Sequence, residues 1–339
     1  MLDLQTLARI RLTLRPRSQM LIANTMLALN YGWLPGVGIA LEGAENVPSE
    51  PVIFAMNHTD RFNYWPFQYQ LYRQLNRFTA TWVKGKYYEN AVIARFMEWT
   101  NNIPTVSRGY LITRDFISTC NRRPNDAEYA ALRNWVNAVA KLRGAESDAE
   151  ELVVPDREAI PTEILETPRE MLGRRFDPSG ESYAEAINAL FRQMMQRFVA
   201  LNLERRELGL DLLVFPQGTR SKRLSRGHVG LAQIALHLRQ PIVPVGCSGS
   251  DLAYPSSSPW AKRSQIVYRI GAPMSYESFA EYHVPPFEPF TPEAEWTHRD
   301  AFQGLVDRVM GRINELVDEP YRLAEGLDSD GVSGSDRFV

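Results

Sequence analysis

The amino-acid sequence predicts an α/β fold in which a mostly parallel central sheet is flanked by helices. Short apolar runs recur along the chain without polar alternation, a pattern typical of strands covered on both faces. Stretches with helical periodicity lie between these runs, as expected where helices connect parallel strands. With 339 residues, of which 44% are hydrophobic, the chain can bury one large core or two smaller ones.

Six strands and two long helices are predicted along the chain. The strands are expected at residues 51–55, 78–83, 103–106, 211–215, 241–245 and 265–270. The helices are expected at residues 132–142 and 187–201, because apolar side chains recur there every three to four residues. Met194 and Met195, in the second helix, are interpreted as core residues.

Two regions lack these patterns. Residues 144–182 are rich in proline and acidic residues and are interpreted as a solvated excursion or lid. The residues from 327 onward are expected to be disordered. We therefore expect an N-terminal segment of residues 1–45, a domain of residues 46–325 with a helical insertion at about 115–205, and a tail of residues 326–339.

The N-terminal segment combines a cationic stretch with an uncharged one. Arg9, Arg11, Arg15 and Arg17 precede residues 18–41, which carry no charge. A membrane-spanning helix needs about 20 predominantly apolar residues, whereas asparagine, proline and glycine residues interrupt this stretch. No cleavage pattern indicates a signal peptide. We expect either a peripheral or monotopic segment on the cytoplasmic face of a membrane or an ordinary helix packed on the core.

Charge and cysteine content argue against several classes of function. The formal net charge is −2, without the basic bias that is typical of proteins that bind nucleic acid. Cys120 and Cys247 lie far apart and outside any metal-type spacing. We expect neither a disulfide framework nor a metal site, but two small buried side chains in a reducing compartment.

A histidine follows the first predicted strand. His58 lies where open α/β sheets place their sites, at the carboxyl end of a strand, and histidine readily takes up a proton near neutral pH. Asn63, five residues later, and Asp60, two residues later, are candidates for orienting the imidazole. The alternatives are a structural role for His58 and a helix cap for Asp60.

A polar segment follows the predicted strand at residues 211–215. Gly218 allows close approach of the backbone to a ligand, Thr219 and Ser221 offer hydroxyls, and Arg220 and Lys222 offer positive charge. This combination suits a phosphate group, although it is not the P-loop pattern of nucleotide-binding proteins. The alternative is a polar turn with solvated charges.

Taken together, these segments resemble the glycerophospholipid acyltransferase family, which includes glycerol-3-phosphate and 1-acylglycerol-3-phosphate acyltransferases. The family's first motif, Asn-His-x-x-x-x-Asp, is matched by Asn57 and His58, with Asn63 at the acidic position. Its second motif ends in an arginine after a short strand, matched by Arg108, for which a surface position is the alternative.

The third and fourth motifs extend this resemblance to residues 51–273. The third, Phe-Pro-Glu-Gly-Thr-Arg-Ser, is matched by residues 215–221, with Gln217 in place of the glutamate. The fourth, an apolar strand that contains proline, is matched by residues 242–245. All four motifs occur in the order that the family has.

The resemblance implies transfer of a fatty-acyl group from acyl-CoA or acyl carrier protein to a hydroxyl of a lysophospholipid or glycerol-phosphate acceptor, as in phospholipid biosynthesis. His58 would be the general base, oriented by Asn63 or Asp60, and transfer would be direct, without an acyl-enzyme or a cofactor. The resemblance further implies a set of substrate-binding residues: Asn57, Lys84, Arg108, Gln217, Gly218, Thr219, Arg220 and Ser221. Lys86 is an alternative to Lys84 in this set.

Two departures from the family pattern leave the activity open. Asn63 and Gln217 keep the shape of the expected acids but not their charge. In serine proteases, removal of the carboxylate beside the histidine costs about 10⁴ in kcat. The alternatives are a slow enzyme and a relative that binds lipid or acyl carrier without turnover. A soluble phosphate-ester enzyme would leave the N-terminal segment unexplained.

Overall fold

The computed structural model describes residues 1–33, 36–144 and 159–323. A seven-stranded sheet forms the centre of this part of the chain. Its strands are β1 (Val37–Glu42), β2 (Ile53–Met56), β3 (Thr79–Lys84), β4 (Asn102–Thr105), β7 (Asp211–Val214), β8 (Ile242–Ser248) and β9 (Ser264–Ile270).

The strands lie in the order β1-β9-β8-β2-β7-β3-β4. All neighbours are parallel except β8 and β9, which pair antiparallel. The predicted mostly parallel sheet is therefore confirmed. Because β2, β7 and β3 are neighbours and run the same way, their carboxyl ends meet at one edge, which we call the carboxyl edge.

Helices cover both faces of the sheet. The helices of the described residues are α1 (Leu4–Arg9), α2 (Arg17–Ile22), α3 (Tyr64–Gln70), α4 (Ala91–Trp99), α5 (Arg108–Cys120), α6 (Asp126–Gly144), α7 (Thr162–Glu166), α8 (Tyr183–Glu207), α9 (Gly230–Leu238), α10 (Ser250–Ala253), α11 (Pro292–Thr297) and α12 (Arg299–Leu316). Two further helical turns of π type, Ala23–Leu27 and Leu29–Trp33, continue α2, and a third, Leu71–Leu75, continues α3.

Strand β2 shows why the sheet is a buried layer. Ile53 and Ala55 face one hydrophobic core, with α8, α9 and α12, whereas Phe54 and Met56 face a second core, with α3. Side chains alternate between the two faces of a strand, so burial on both sides requires a continuous apolar run. The four residues of β2 are all fully buried.

The N-terminal segment is not a separate unit, contrary to the expected boundary at residue 45. Leu2, Leu7 and Ile10 are buried in the main core. Residues 37–42 form β1, which pairs with β9 at the edge of the sheet. The core-packing interpretation therefore holds at residues 2–12. Apart from Met1, the exposed large apolar side chains of the segment lie between residues 14 and 33.

The second half of the acidic stretch is folded rather than a solvated lid. Residues 169–176 form a hairpin of β5 (Arg169–Met171) and β6 (Arg174–Phe176). Met171 and Phe176 are fully buried in the main core, which accounts for the packing. Residues 145–158 and the expected tail at 326–339 lie outside the described residues.

Helices α6 and α8 confirm the two predicted helices, and α8 packs on the sheet as part of the main core. It begins at a capping box of Ser182 and Glu185, in which side chains and backbone N–H groups bond reciprocally. Trp82 of β3 packs on Phe198 of α8 at 5.0 Å between ring centroids. Met194 and Met195 are buried, as predicted.

Among residues 1–33, 36–144 and 159–323, no helix combines the length and apolar character that crossing a bilayer requires. In the same part of the chain, Cys120 and Cys247 form no disulfide. These residues also contain no group of three or more potential metal ligands.

Candidate active site

His58 lies at the carboxyl edge, two residues after the end of β2. The loop that follows the neighbouring strand β7 packs directly against it. The ring of Phe215 stacks on the imidazole at 4.1 Å between centroids. The N–H of His58 donates to Oε1 of Gln217 at 3.1 Å, and the N–H of Ser221 donates to the carbonyl of His58 at 2.9 Å. The histidine loop and the loop after β7 therefore form one unit.

Asn63 determines which nitrogen of His58 carries the proton. Its Nδ2 donates to the carbonyl oxygen of Asn57 at 2.8 Å. A carbonyl can only accept, so this bond requires the amide to present Oδ1 to the histidine. Nδ1 of His58 lies 3.0 Å from that oxygen. Nδ1 is therefore protonated and donates, and Nε2 carries the lone pair that can accept a proton.

The surroundings of His58 disfavour its charged form. The pKa of His58 is lowered to about 3, chiefly by burial, with a further lowering by the positive charges of Arg220 and Lys84. The hydrogen bond to Asn63 acts in the opposite direction. The ring is therefore neutral at physiological pH and available as a base.

Two cations act on His58, and their charges are coupled to those of two more. Arg220, in the loop after β7, and Lys84, at the end of β3, both act on the imidazole. The pKa of Lys86 is lowered by burial and then by Arg220 and Arg61. Arg61, Lys84, Lys86 and Arg220, which we call the cation cluster, concentrate positive charge at the carboxyl edge. Such a cluster suits an anionic ligand.

Gly218 holds the loop after β7 in a conformation that favours glycine. Its φ is +66°, in the left-handed region. A Cβ at this position would lie 2.6 Å from Cδ2 of His228. A side chain at this position would therefore be strained by the backbone conformation and would require His228 to move.

Gln217, Thr219 and Ser221 are buried and hold the loop in place. Besides accepting from His58, Gln217 donates from Nε2 to the carbonyl of Arg223 at 3.2 Å. Gln217, Thr219 and Ser221 are exposed by only 2%, 5% and 8%, whereas Arg220 between them is exposed. The predicted substrate-binding role of Gln217 is therefore replaced by a structural one, because both ends of its amide are bonded inside the protein.

Asn57 was expected to bind substrate, but its side chain joins two strands. Nδ2 donates to the carbonyl of Cys247 at 2.9 Å, and the N–H of Cys247 donates to Oδ1 at 2.7 Å. These two hydrogen bonds connect the end of β2 to β8. Because Asn57 is 2% exposed and both its polar groups are used, it does not face a ligand.

Asp60 does not replace the missing acid. Its carboxylate accepts from the N–H of Phe62 at 2.8 Å and from the hydroxyl of Thr59 at 2.9 Å. Burial raises the pKa of Asp60, and its charge is not among the groups that act on His58. Asp60 does not cap the following helix either: its bond to Phe62 closes a turn before α3, whose N-cap position is Asn63 and carries no side-chain cap bond.

Arg108 is turned toward α8 instead of the cation cluster. Its Nε donates to Oδ1 of Asn188 at 2.7 Å, and its guanidinium lies 4.4 Å from the ring centroid of Phe191. Burial lowers its pKa. Arg108 thus contributes to the packing of α5 on α8, and its contact with an anion stays a prediction.

Two residues of the site were missed by sequence reasoning. Arg61 lies within the histidine motif, three residues after His58, so its charge was a usable signal. Tyr268 donates from its hydroxyl to the carbonyl of Asn63 at 2.5 Å. Tyr268 belongs to β9, 205 residues from Asn63 in the sequence, and no local pattern indicates that contact.

Fold and site together define an α/β protein with a neutral histidine beside a cluster of cations. No family model matches the chain. A segment of 111 residues is 32% identical to a 1-acyl-sn-glycerol-3-phosphate acyltransferase of Cocos nucifera, and the match covers 32% of this chain and 32% of that protein. The chain thus aligns with about a third of its relative's length. This match confirms the resemblance to glycerolipid acyltransferases that the motifs indicate.

A crystal structure is also similar. It is that of the 1-acyl-sn-glycerophosphate (LPA) acyltransferase PlsC from Thermotoga maritima, at 15% sequence identity and a TM-score of 0.40. The superposition covers 92% of this chain and 87% of that chain.

Proposed function

We propose that the protein is an acyltransferase that moves a fatty-acyl group from a thioester, carried by coenzyme A or acyl carrier protein, to a hydroxyl of a glycerol-phosphate-type acceptor. The observation that carries this proposal is the fixed tautomer of His58 beside the cation cluster. A proton acceptor next to a phosphate-binding group is the arrangement that this reaction requires. The similarity to a glycerolipid acyltransferase supports the same chemistry.

In the proposed reaction, Nε2 of His58 takes the proton of the acceptor hydroxyl while the oxygen attacks the thioester carbonyl. The carbon–sulfur bond then breaks, and the thiolate leaves with the proton from Nε2. Since the pKa of His58 is about 3, the imidazole is a weak base but the imidazolium is a strong acid. Protonation of the leaving thiolate is therefore strongly favoured, and proton removal depends on close positioning of the hydroxyl.

The cation cluster would hold the phosphate of the acceptor. Neighbouring strands lie about 4.8 Å apart, so the loops with Arg220 and Lys84 start about 5 and 10 Å from the end of β2. Long cationic side chains from these loops reach a phosphate that is a few bonds away from a hydroxyl at His58. This geometry favours a small phosphorylated polyol, acylated or not, as the acceptor.

A narrow cavity beside the site is a candidate for the acyl chain of the donor. The cavity is partly open to solvent and lies between the helical segment of residues 17–33 and α3. Tyr64 and Trp65, directly after Asn63, line it near the site. Gln68, which bonds to Thr79 and Thr81, supplies a polar surface further inside.

The exposed side chains of residues 14–33 suggest that the protein works at a membrane surface. Leu21, Leu29 and Trp33 are 64%, 43% and 84% exposed. They recur every four residues or a multiple of four, so they share one face of the helical segment. The arginines that precede them suit the anionic cytoplasmic leaflet, and we propose peripheral attachment there.

The decisive experiment measures thiol release from acyl-CoA with lysophosphatidate or glycerol 3-phosphate, for wild type and His58→Ala. We expect turnover with at least one acceptor and loss of at least about a hundredfold in the variant, as for removal of a general base. His283→Ala is the matched control. His283 is exposed and follows Met274, which pairs with the amino end of β8 and thus lies at the edge of the sheet opposite the carboxyl edge. Equal rates for wild type and His58→Ala would refute the proposal.

A second function is favoured by Asn63 and Gln217, which replace acids. The protein would then bind phospholipid or acyl carrier without turnover. Binding of lysophosphatidate that survives His58→Ala, with no thiol release for any acceptor, would establish this alternative.

A further inference from the structure

Two large apolar side chains lie exposed on the segment between β8 and β9. Leu252 and Trp260 are 61% and 46% exposed. The segment begins directly after the carboxyl end of β8, the neighbour of β2, and therefore lies at the same edge as His58. The mechanism uses neither residue.

A buried asparagine of the N-terminal helical segment holds Trp260 in place. Nδ2 of Asn30 donates to the carbonyl of Pro259 at 3.0 Å, and the N–H of Ala261 donates to Oδ1 of Asn30 at 2.9 Å. The side chain of Asn30, which is fully buried, thus binds the backbone on both sides of Trp260. The hydroxyls of Tyr31 and Tyr254 add a bond of 2.5 Å between the same two segments.

This anchoring brings exposed apolar side chains from two distant parts of the sequence together. Leu29 and Trp33, which flank Asn30, belong to the exposed face of the helical segment. The backbone on either side of Trp260 is held by Asn30 of the same segment, although Trp260 lies more than two hundred residues further along the chain. The exposed face thus continues from the helical segment onto the loop between β8 and β9.

The charge of this loop is complementary to an anionic surface. Lys262 and Arg263 follow Trp260 closely and are exposed. Residues 254–263 contain no acidic residue. Tryptophan beside lysine and arginine is the composition that favours the interface between bilayer and water.

We propose that residues 252–263, which we call the Trp260 loop, are a second membrane contact that binds an anionic bilayer together with residues 17–33. The proposal rests on the proposed membrane attachment of the helical segment. Two contacts fix the orientation of a protein on a surface, whereas one helix leaves it free to rotate about its axis. The pair would turn the carboxyl edge toward the lipid, where a lipid acceptor enters.

The test uses the full-length protein and vesicles of phosphatidylcholine with and without phosphatidylglycerol. Trp260→Glu should weaken binding to the anionic vesicles by about tenfold or more, because a charge replaces an interfacial aromatic side chain. Trp260→Phe should retain most of the binding. Trp296→Glu is the matched control, since Trp296 is 65% exposed and lies on α11, which packs on the opposite face of the sheet.

Asn30→Ala tests the anchor separately. It removes the two bonds around Trp260 without changing an exposed side chain, and we expect weaker vesicle binding together with a more mobile Trp260. Folding of each variant is checked by circular dichroism. Wild-type binding by Trp260→Glu would overturn the proposal, and so would a failure of the wild type to bind anionic vesicles. A change of oligomeric state in Trp260→Glu would assign the surface to a second copy of the chain instead.

The outcomes separate this inference from the proposed function. Acyl transfer to water-soluble glycerol 3-phosphate without any effect of Trp260→Glu on vesicle binding would refute the Trp260 loop alone. Vesicle binding that depends on Trp260, with no acyl transfer to any acceptor, would refute the acyltransferase alone.

Discussion

Replacement of Asn63 by aspartate tests the central geometry of the site. The variant places a negative charge about 3.0 Å from Nδ1 of His58, where wild type has an amide oxygen. At an effective dielectric constant of about 20, two unit charges some 4 Å apart attract by about 4 kcal/mol, or about 3 pKa units. Burial of the new carboxylate offsets part of this gain, because position 63 is fully buried.

The pKa of His58 should therefore rise from about 3 in wild type to about 5 in Asn63→Asp. The substitution also has a cost. Aspartate cannot donate to the carbonyl of Asn57, as Nδ2 of Asn63 does at 2.8 Å. The buried carbonyl oxygen of Asn57 then faces a carboxylate oxygen, which is also an acceptor. We expect a loss of about 1–3 kcal/mol in the free energy of unfolding at pH 7.

The pH dependence of stability has a definite sign. A histidine whose pKa is lower in the folded than in the unfolded state contributes stability above pH 6.5 that is lost as pH falls toward the folded pKa. In wild type this window extends from about 6.5 down to about 3. In Asn63→Asp it ends near pH 5, so the variant should lose less stability on acidification than wild type.

The assay is the NMR titration of the imidazole Cε1–H, assigned by comparison with His58→Gln, together with urea denaturation at several pH values. The wild-type signal should stay unchanged from pH 8 to pH 5, and the signal of Asn63→Asp should titrate with a midpoint near 5. If the aspartate leaves the His58 signal unchanged over this range, Asn63 does not orient the ring and the assigned tautomer is wrong.

Three further predictions follow from the same contacts. Because the pKa of His58 is lowered to about 3, titration of His58 should cause no change in kcat/KM between pH 8 and pH 5. A break near pH 6.5 that is present in wild type and absent from a His58 variant would contradict the site. Gly218→Ala should lower the free energy of unfolding by about 1–2 kcal/mol in urea denaturation, because φ is +66° and the new Cβ meets His228. The same substitution should raise KM for a phosphorylated acceptor. Wild-type stability would show that the loop adapts. Asn57→Ala should lower the free energy of unfolding by about 2–4 kcal/mol, since two buried hydrogen bonds to Cys247 are lost. A loss of activity at unchanged stability would instead indicate that Asn57 binds substrate.

The strands and the location of the site could be predicted because they depend on local sequence. A strand that is covered on both faces needs consecutive apolar residues, and β2, β7 and β8 have them. His58 and Gly218 each follow such a strand, and sites at the ends of parallel strands converge at one edge.

Strand β1 was missed because its signal is weak and its partner is distant. Residues 37–42 include Gly38, end in Glu42, and are only half-buried at the edge of the sheet. They directly continue an uncharged helical stretch, so nothing in the local pattern separates them from it. Only the pairing with β9 makes these residues a strand.

The roles of the amide and arginine side chains could not be predicted from local sequence either. Asn57 and Gln217 can bond to a ligand or to the backbone, and their actual partners lie on other loops. Arg108 is held by Asn188, which is 80 residues away. Positions in a motif thus identify which residues lie near the site, whereas tertiary contacts decide which of them remain available to a ligand.

The pairing of β1 with β9 has a consequence for synthesis of the chain. Glu42 and its ion-pair partner Arg269 are 227 residues apart, and at 5–20 residues per second the ribosome needs about 10–45 s to make the intervening chain. During that time the apolar residues of β1 have no strand to pair with. Exposed edges of this kind favour aggregation, so the yield of folded protein should depend on translation speed and on chaperones that cover the nascent N-terminal part.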